Sequence, residues 1–382
     1  MKKAFLTCIT KCHPAISDVN LLKQYLRKNG WSMSKSVDAA DVLIVYTCAN
    51  TQAREDLSLK VIRRFEKKQK AGAKLIVSGC LPSINKDRLN RVFDGIVVRA
   101  RSLHEFDRVL EHQHSLRDIQ YAGPDRQFKK DKATEYPLRI EWGCDGSCSY
   151  CAIKFVFGGP KSRPVSEILL EFDGAFRKGY RNFMLVANDS GSYGKDLGTS
   201  LAHLLEALCK RQKEGWFSLS HISPHKLKAL LPSLSGLIRS GRISRINLPV
   251  QSGSNRIIKL MNRNYTVADF KYCINKLTAY CPGIQLKTDF IVGFPSETEK
   301  DFSATLKLAE WLRRRNVYFN CFVYSERPKT AALKLPGKID RMTQLDRLQR
   351  LSRPCPVAPD AQIKIPEMGP GQNLPPEAAA GE

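Results

Sequence analysis

The sequence predicts an α/β protein built from two units, a small parallel α/β domain followed by an open, partial β/α barrel. Apolar runs of strand length alternate with amphipathic runs of helix length over the first hundred residues, and the alternation restarts at residue 137. A polar stretch that contains Gly123-Pro124 separates the two series. Strands separated by helices are typical of parallel sheets, because parallel neighbours need a crossover connection.

The elements of both units follow from the spacing of apolar residues. In the first unit we predict strands at 4–10, 42–46 and 75–78 and helices at 19–29 and 53–70. In the second unit we predict six strands, at 138–142, 183–187, 217–222, 245–250, 284–292 and 317–324. Right-handed crossovers place the carboxyl ends of such strands on one rim, where active sites in these folds lie.

These patterns divide the chain into four segments. The N-terminal domain is predicted at 1–120, a linker at 121–136 and the partial barrel at 137–353. Residues 354–382 are rich in Pro, Ala and Gly and lack periodicity, which predicts a disordered tail.

Composition narrows the class of protein. Of the 382 residues, 42% are apolar and 26% are charged, which is typical of a globular protein rather than a disordered or fibrous one. Lys and Arg outnumber Asp and Glu by 62 to 37, and the net charge of +25 favours a polyanionic partner such as nucleic acid. A basic surface that is merely solvated is the alternative reading.

No apolar stretch is long enough to cross a membrane, and the apolar run after Met1 ends at Lys11, too early for a signal peptide. We therefore expect a cytoplasmic location and no membrane partner. Because that compartment keeps thiols reduced, the twelve cysteines are not expected to form disulfides.

Three cysteines follow the first strand of the second unit. Cys144, Cys148 and Cys151 lie within eight residues. Tetrahedral zinc would need a fourth ligand, and no histidine is nearby. A 4Fe-4S cluster that is held by three thiolates leaves one iron open to bind a small molecule, which is a catalytic arrangement.

The pattern Cys-x3-Cys-x2-Cys, with Tyr150 before the last cysteine, resembles the radical S-adenosylmethionine superfamily. Further segments resemble the methylthiotransferase family within it, namely 143–164, 185–198, 248–254, 259–266, 289–298 and 324–332. The resemblance implies a barrel of the radical S-adenosylmethionine type, two 4Fe-4S clusters, S-adenosylmethionine as cofactor and an external low-potential electron donor. It also implies that a 5'-deoxyadenosyl radical abstracts hydrogen from a substrate C–H bond before the methylthio group is transferred.

Cys12, Cys48 and Cys80 each follow an apolar strand of the first unit, so their positions converge on one rim of a parallel sheet. They match the place where the family keeps its auxiliary cluster. Buried structural cysteines are the alternative. Cys8 is a possible substitute for Cys12, but it falls inside the predicted strand, and Asp18 follows Cys12 at the family spacing.

Four further residues are candidates for cofactor binding. Asn188 and Asp189 follow a strand in a segment of small and polar residues, which lets a cofactor approach closely. We expect them to contact S-adenosylmethionine or orient the substrate. Gln251 and Ser252 follow another strand and are interpreted in the same way, whereas no residue is predicted as the catalytic acid or base.

The chain departs from the family pattern in three places. Ala15 stands where the family usually has Asn, and Phe157-Gly158 stands where it usually has Arg-Gly, which removes a cation near the radical site. After residue 353 the resemblance stops where a small RNA-binding barrel, the TRAM domain, normally begins, and we expect that domain to be lacking.

The resemblance implies methylthiolation of a substrate. The high positive charge favours the hypermodified adenosine next to the anticodon of tRNA. A ribosomal-protein aspartate is an alternative substrate, and a non-catalytic RNA-binding or iron-sulfur relative is an alternative of another class.

Overall fold

The N-terminal unit is a parallel sheet with helices packed on it. The structure is a computed structural model that describes residues 2–10, 12–119 and 135–352. The elements are β1 (Lys3–Cys8), α1 (His13–Lys28), β2 (Ser32–Met33), β3 (Val42–Thr47), α2 (Gln52–Lys68), β4 (Lys74–Gly79), α3 (Leu81–Ile84), α4 (Lys86–Asn90), β5 (Ile96–Val97) and α5 (Phe106–Val109). The strands lie in the order β2-β1-β3-β4-β5, and all neighbours are parallel.

The second unit contains the larger sheet. Its elements are β6 (Glu135–Arg139), β7 (Glu141–Trp142), α6 (Ile153–Phe157), β8 (Lys161–Ser162), α7 (Val165–Arg177), β9 (Asn182–Val186), α8 (Leu201–Arg211), β10 (Trp216–Leu219), α9 (Pro224–Arg239), β11 (Ile243–Asn247), α10 (Asn255–Leu260), α11 (Val267–Tyr280), β12 (Gln285–Val292), α12 (Glu299–Arg313), β13 (Tyr318–Val323) and α13 (Arg341–Ser352). Six parallel strands lie in the order β6-β9-β10-β11-β12-β13.

The predicted fold class is confirmed, since two parallel sheets are present and β6 and β13 are the ends of an open second sheet. All six residues of β3 are buried, as expected for a strand with both faces covered. The predicted bounds differ most for α1, which begins at His13 rather than at residue 19, because Pro14 suits the first turn of a helix. The two-residue strands are too short for sequence periodicity to reveal.

Strand β6 begins three residues before the predicted strand. Pro137 lies inside it and lacks the backbone N–H that a central strand would need. Because β6 is an edge strand that pairs only with β9 among the strands of the described residues, the proline is tolerated. Most of the predicted linker and the whole predicted tail at 354–382 lie outside the described residues, so the domain bounds remain a prediction.

The two units share a hydrophobic seam. Ala152, Val156 and Phe157 belong to the second unit in sequence, yet they are buried in the core of the first. Helix α6 packs there against α3. Since α6 follows Cys151 and α3 follows Cys80, this packing brings the two cysteine-bearing regions together.

A turn after β13 carries a strained lysine. The backbone N–H of Thr330 donates to the carbonyl of Arg327 at 3.3 Å, with Pro328 and Lys329 between them. Lys329 has φ of +65°, a conformation that favours glycine at the third position of a type II turn. We therefore expect Lys329→Gly to stabilise the protein by about 1 kcal/mol, because it removes a left-handed conformation from a residue with a side chain.

Urea unfolding of the reconstituted protein measures this effect. The matched control is Lys307→Gly in α12, where the same substitution is expected to cost about 1 kcal/mol, because glycine is a poor helix former. Destabilisation by Lys329→Gly would contradict the strain argument.

Candidate active site

The three N-terminal cysteines lie at one rim of the first sheet, which we define as the carboxyl ends of β1, β3 and β4. Cys48 directly follows β3, Cys80 directly follows β4, and Cys12 precedes α1. The Cys80 N–H donates to the carbonyl of Thr47 at 3.0 Å, which ties the two strand ends together. A Cβ on Gly79 would lie 2.3 Å from the Thr47 oxygen, so only glycine permits this approach.

The three thiols are close enough to influence one another. Burial raises the pKa of the Cys80 thiol well above its usual value, and the thiolates of Cys48 and Cys12 raise it further. Such mutual repulsion disappears when a cationic iron centre binds the thiolates. The donor set therefore fits an iron-sulfur cluster.

Cys8 lies inside β1, as the sequence predicted, and its thiol donates to the carbonyl of Thr10 at 3.0 Å. Burial raises its pKa to about 12. Across residues 2–10, 12–119 and 135–352, no three His, Cys, Asp or Glu side chains are grouped as ligands of a single metal ion. The thiolates of a four-iron cluster each bind a different iron, so they are spaced more widely.

The second triad occupies the loop between β7 and α6. An added Cβ on Gly146 would lie 3.1 Å from the sulfur of Cys144 and 3.9 Å from that of Cys148, so the two sulfurs flank this glycine. The Gly146 N–H donates to the Cys144 sulfur at 3.1 Å. Burial raises the pKa of Cys151, and the Cys148 thiolate raises it further. Because the loop is compact and donates a backbone N–H to a cysteine sulfur, it also fits an iron-sulfur cluster.

Contacts from α10 and the following turn hold this loop in place. The Ser149 hydroxyl donates to the carbonyl of Leu260 at 2.8 Å. Tyr150 accepts a hydrogen bond from Arg263 and packs edge-on against Phe294, with ring centroids 6.4 Å apart. The aromatic residue in the cysteine motif therefore anchors the loop.

Asn188 and Asp189 lie beside the second triad, and both are engaged with protein groups. Asn188 accepts from the Gly143 N–H at 3.0 Å. Asp189 accepts from the Ser223 hydroxyl at 2.7 Å and pairs with Lys226 at 3.0 Å. These contacts allow Asn188 directly, and Asp189 through Lys226, to orient the loop, and cofactor binding by either side chain stays a prediction.

Lys226 is a site residue that sequence reasoning missed. It is buried in the first turn of α9 and pairs with both Asp145 and Asp189. Because Asp145 directly follows Cys144, the lysine links the cysteine loop to the end of β9. No motif marks Lys226, and only the fold places it there.

Gln251 and Ser252 differ in what they can offer a ligand. Gln251 has φ of +69°, and its buried side-chain oxygen has no hydrogen-bond partner among the described residues. The Ser252 hydroxyl instead accepts from the N–H of Ser254 at 3.1 Å, within the turn that leads to α10. The Gln251 oxygen is thus available to a ligand and the Ser252 hydroxyl supports the turn, while cofactor binding by either residue stays a prediction.

Unsatisfied polar groups lie at the seam between the triads. Both carboxylate oxygens of Glu141 and both terminal nitrogens of Arg139 are buried without hydrogen-bond partners among the described residues. Burial raises the pKa of Glu141 to about 9.

Arg139 lies 4.0 Å from Asp18 of the first unit and 5.8 Å from the ring of Phe157. Arg101 also lies next to Gly158. The two arginines, Arg139 and Arg101, therefore supply positive charge beside Phe157-Gly158, where the family usually has Arg-Gly.

Comparisons with known proteins agree with this geometry. Residues 143–309 match the Radical SAM superfamily, and residues 7–98 match Uncharacterized protein family UPF0004. A tRNA-2-methylthio-N(6)-dimethylallyladenosine synthase from Fervidobacterium nodosum is 32% identical over 89% of this chain and 81% of its own length. The chain belongs to the radical S-adenosylmethionine methylthiotransferases. Membership implies a 4Fe-4S cluster and S-adenosylmethionine.

Other relatives of this methylthiotransferase carry related names. A probable threonylcarbamoyladenosine tRNA methylthiotransferase from Pyrococcus abyssi is 30% identical over 85% of this chain and 78% of that protein. The radical S-adenosylmethionine methyltransferase TsrM from Kitasatospora setae has a similar fold, with a TM-score of 0.62 at 10% identity over 87% of this chain and 77% of that one. Within the described residues no helix has both the length and the apolar character needed to cross a membrane.

Proposed function

We propose that this methylthiotransferase modifies the hypermodified adenosine next to the anticodon of tRNA. The packing of α3 on α6 carries the proposal, because it brings the rim that bears Cys80 to the loop that bears Cys151. The named activities of relatives that align over most of the chain, together with the charge of +25, support tRNA as substrate. No observation specifically favours the ribosomal-protein or non-catalytic alternatives.

The proposal includes two 4Fe-4S clusters, an external low-potential electron donor and a cytoplasmic location. We assign the ligands to the two cysteine triads, Cys12, Cys48 and Cys80 for the auxiliary cluster and Cys144, Cys148 and Cys151 for the radical cluster. When bound, the clusters supply the electron for reductive cleavage of S-adenosylmethionine and a site for the sulfur that is transferred.

The chain's own residues position the reactants and exclude water. Lys226 holds the cysteine loop through Asp145 and Asp189 and thus sets its distance from the end of β9. The Gln251 amide oxygen and the Glu141 carboxyl group, which have no hydrogen-bond partner among the described residues, are available to orient a polar ligand. Phe157 and its neighbours in α6 close the seam with apolar side chains, which keeps water from the reacting centre.

Mass spectrometry of tRNA nucleosides and ribosomal proteins from cells with and without the gene tests the proposal. We expect a methylthio-adenosine derivative to disappear on deletion and to return with the intact gene. The mass of that nucleoside distinguishes a dimethylallyl from a threonylcarbamoyl substrate. Loss of a methylthio-aspartate, or no loss, would contradict the proposal.

A further inference from the structure

We propose that a groove between α2 and α4 binds the phosphate backbone of the substrate RNA, an inference that rests on the proposed function. The groove has a volume of about 500 Å³. Four cationic side chains and one carboxylate line it together with apolar residues, and the charged residues are Lys60, Arg63, Arg88, Arg91 and Asp56. Cations come from both walls, since two of them lie in α2 and two in or directly after α4.

Three of the cations are free to bind an anion. Lys60, Arg63 and Arg91 are exposed, and none forms an ion pair or side-chain hydrogen bond with a residue that the structure describes. Arg88 is different, because it pairs with Glu55 at 2.7 Å and with Asp56 at 2.6 Å. The one carboxylate in the groove is thus already neutralised, which leaves a concave surface with net positive charge.

The same helix connects the groove to the auxiliary rim. The Ser58 hydroxyl accepts from the Cys48 N–H at 3.1 Å and donates to the Cys48 carbonyl at 2.8 Å. Along an α-helix, Arg63 lies only about 7.5 Å beyond Ser58. A nucleic acid whose target base reaches the rim would therefore have its backbone within reach of the groove.

The chemistry of the groove favours phosphate over an acidic protein such as an electron donor. Guanidinium groups of Arg63 and Arg91 match the geometry of phosphate oxygens through paired N–H donors. A stable protein–protein interface buries about 800 Å² of surface on each partner. A groove with three unpaired cations instead matches the charge of a few consecutive phosphates.

The test compares two triple variants of the reconstituted protein that lose the same charge. One carries Lys60→Gln, Arg63→Gln and Arg91→Gln in the groove. The other carries Arg177→Gln, Lys210→Gln and Lys307→Gln, which are exposed residues of the outer helices α7, α8 and α12 without described ion pairs. The dissociation constant for unmodified tRNA is measured over a series of salt concentrations.

We expect the groove variant to bind about tenfold more weakly at low salt, with a log–log salt slope smaller by about 2, because contacts to phosphates release counterions. The control should bind like the unmutated protein. Formation of 5'-deoxyadenosine without RNA, driven by a chemical reductant, should be the same for all three proteins and would show that the groove variant is folded and active.

Equal tRNA binding and equal salt slopes for both variants would overturn the inference. So would unchanged tRNA binding accompanied by slower cleavage with a protein reductant alone, which would make the groove a docking site for the donor. Failure of the unmutated protein to bind tRNA or to make a methylthio nucleoside would instead contradict the proposed function, so the two failures are distinguishable.

Discussion

Replacing Cys12, Cys48 and Cys80 together with Ala is expected to abolish the methylthio product while reductive cleavage of S-adenosylmethionine continues. The physical reason is that the two triads lie on different elements, the first at the carboxyl ends of β1, β3 and β4 and the second in the loop between β7 and α6, although α6 itself packs into the core of the first unit. The loop of the second triad is held from its own unit, through Leu260 and Lys226, and these contacts do not depend on the first triad.

Anaerobic reconstitution followed by iron and sulfide analysis should show two clusters in the unmutated protein and one in this variant. Mass spectrometry should detect 5'-deoxyadenosine but no methylthio nucleoside. Replacing Cys144, Cys148 and Cys151 with Ala should also leave one cluster, but both products should be lost. Cys209→Ala and Cys281→Ala, at cysteines outside both triads, are the matched controls and should retain both clusters and both reactions.

Two results would contradict the assignment. A single cluster in the unmutated protein would remove the auxiliary site. Loss of cleavage in the Cys12, Cys48 and Cys80 variant, with its remaining cluster intact, would show that the two triads do not divide the chemistry between them.

Glu55→Gln is expected to cost about 3–5 kcal/mol of stability, the usual effect of removing one partner from a buried ion pair. Glu55 is fully buried at the start of α2, where it pairs with Arg327 from the segment after β13 and with Arg88. The substitution leaves the Arg327 cation buried without a compensating charge. Urea unfolding of the reconstituted protein measures the loss.

The matched control is Glu111→Gln, which removes the same charge from an exposed pair with Lys2. We expect it to change stability by less than about 1 kcal/mol, because water screens exposed ion pairs. A similar, small effect at both positions would show that the Glu55 pair does not stabilise the contact between the units.

The Glu55 substitution should also weaken the coupling between the cleavage of S-adenosylmethionine and the transfer of the methylthio group. The segment from Tyr324 to Ala332 touches both sites, because Ser325 accepts from the N–H of Gln52 at 2.9 Å and the Ala332 N–H donates to the carbonyl of Ser149 at 2.8 Å. We expect more 5'-deoxyadenosine per methylthio product in Glu55→Gln than in Glu111→Gln, since the two triads would be less firmly positioned.

The sequence by itself determined the order of the main elements and the family. Apolar runs of strand length that are separated by runs of helix length predict parallel sheets, because the spacing of apolar residues shows which faces of an element are buried. All six strands that were predicted for the second unit are present. The positions of Cys12, Cys48 and Cys80 at strand ends likewise predicted their proximity, since parallel strands end on one rim.

Only the tertiary structure decided which side chains surround those cysteines. Lys226 meets Asp145, and Glu55 meets Arg327, across separations of 81 and 272 residues that no local pattern encodes. The same holds for the polar partners of Asn188 and Asp189, which only the packing reveals, while their predicted contact with a cofactor stays a prediction. Short-range periodicity specifies elements, whereas pairing of distant charges depends on how those elements pack.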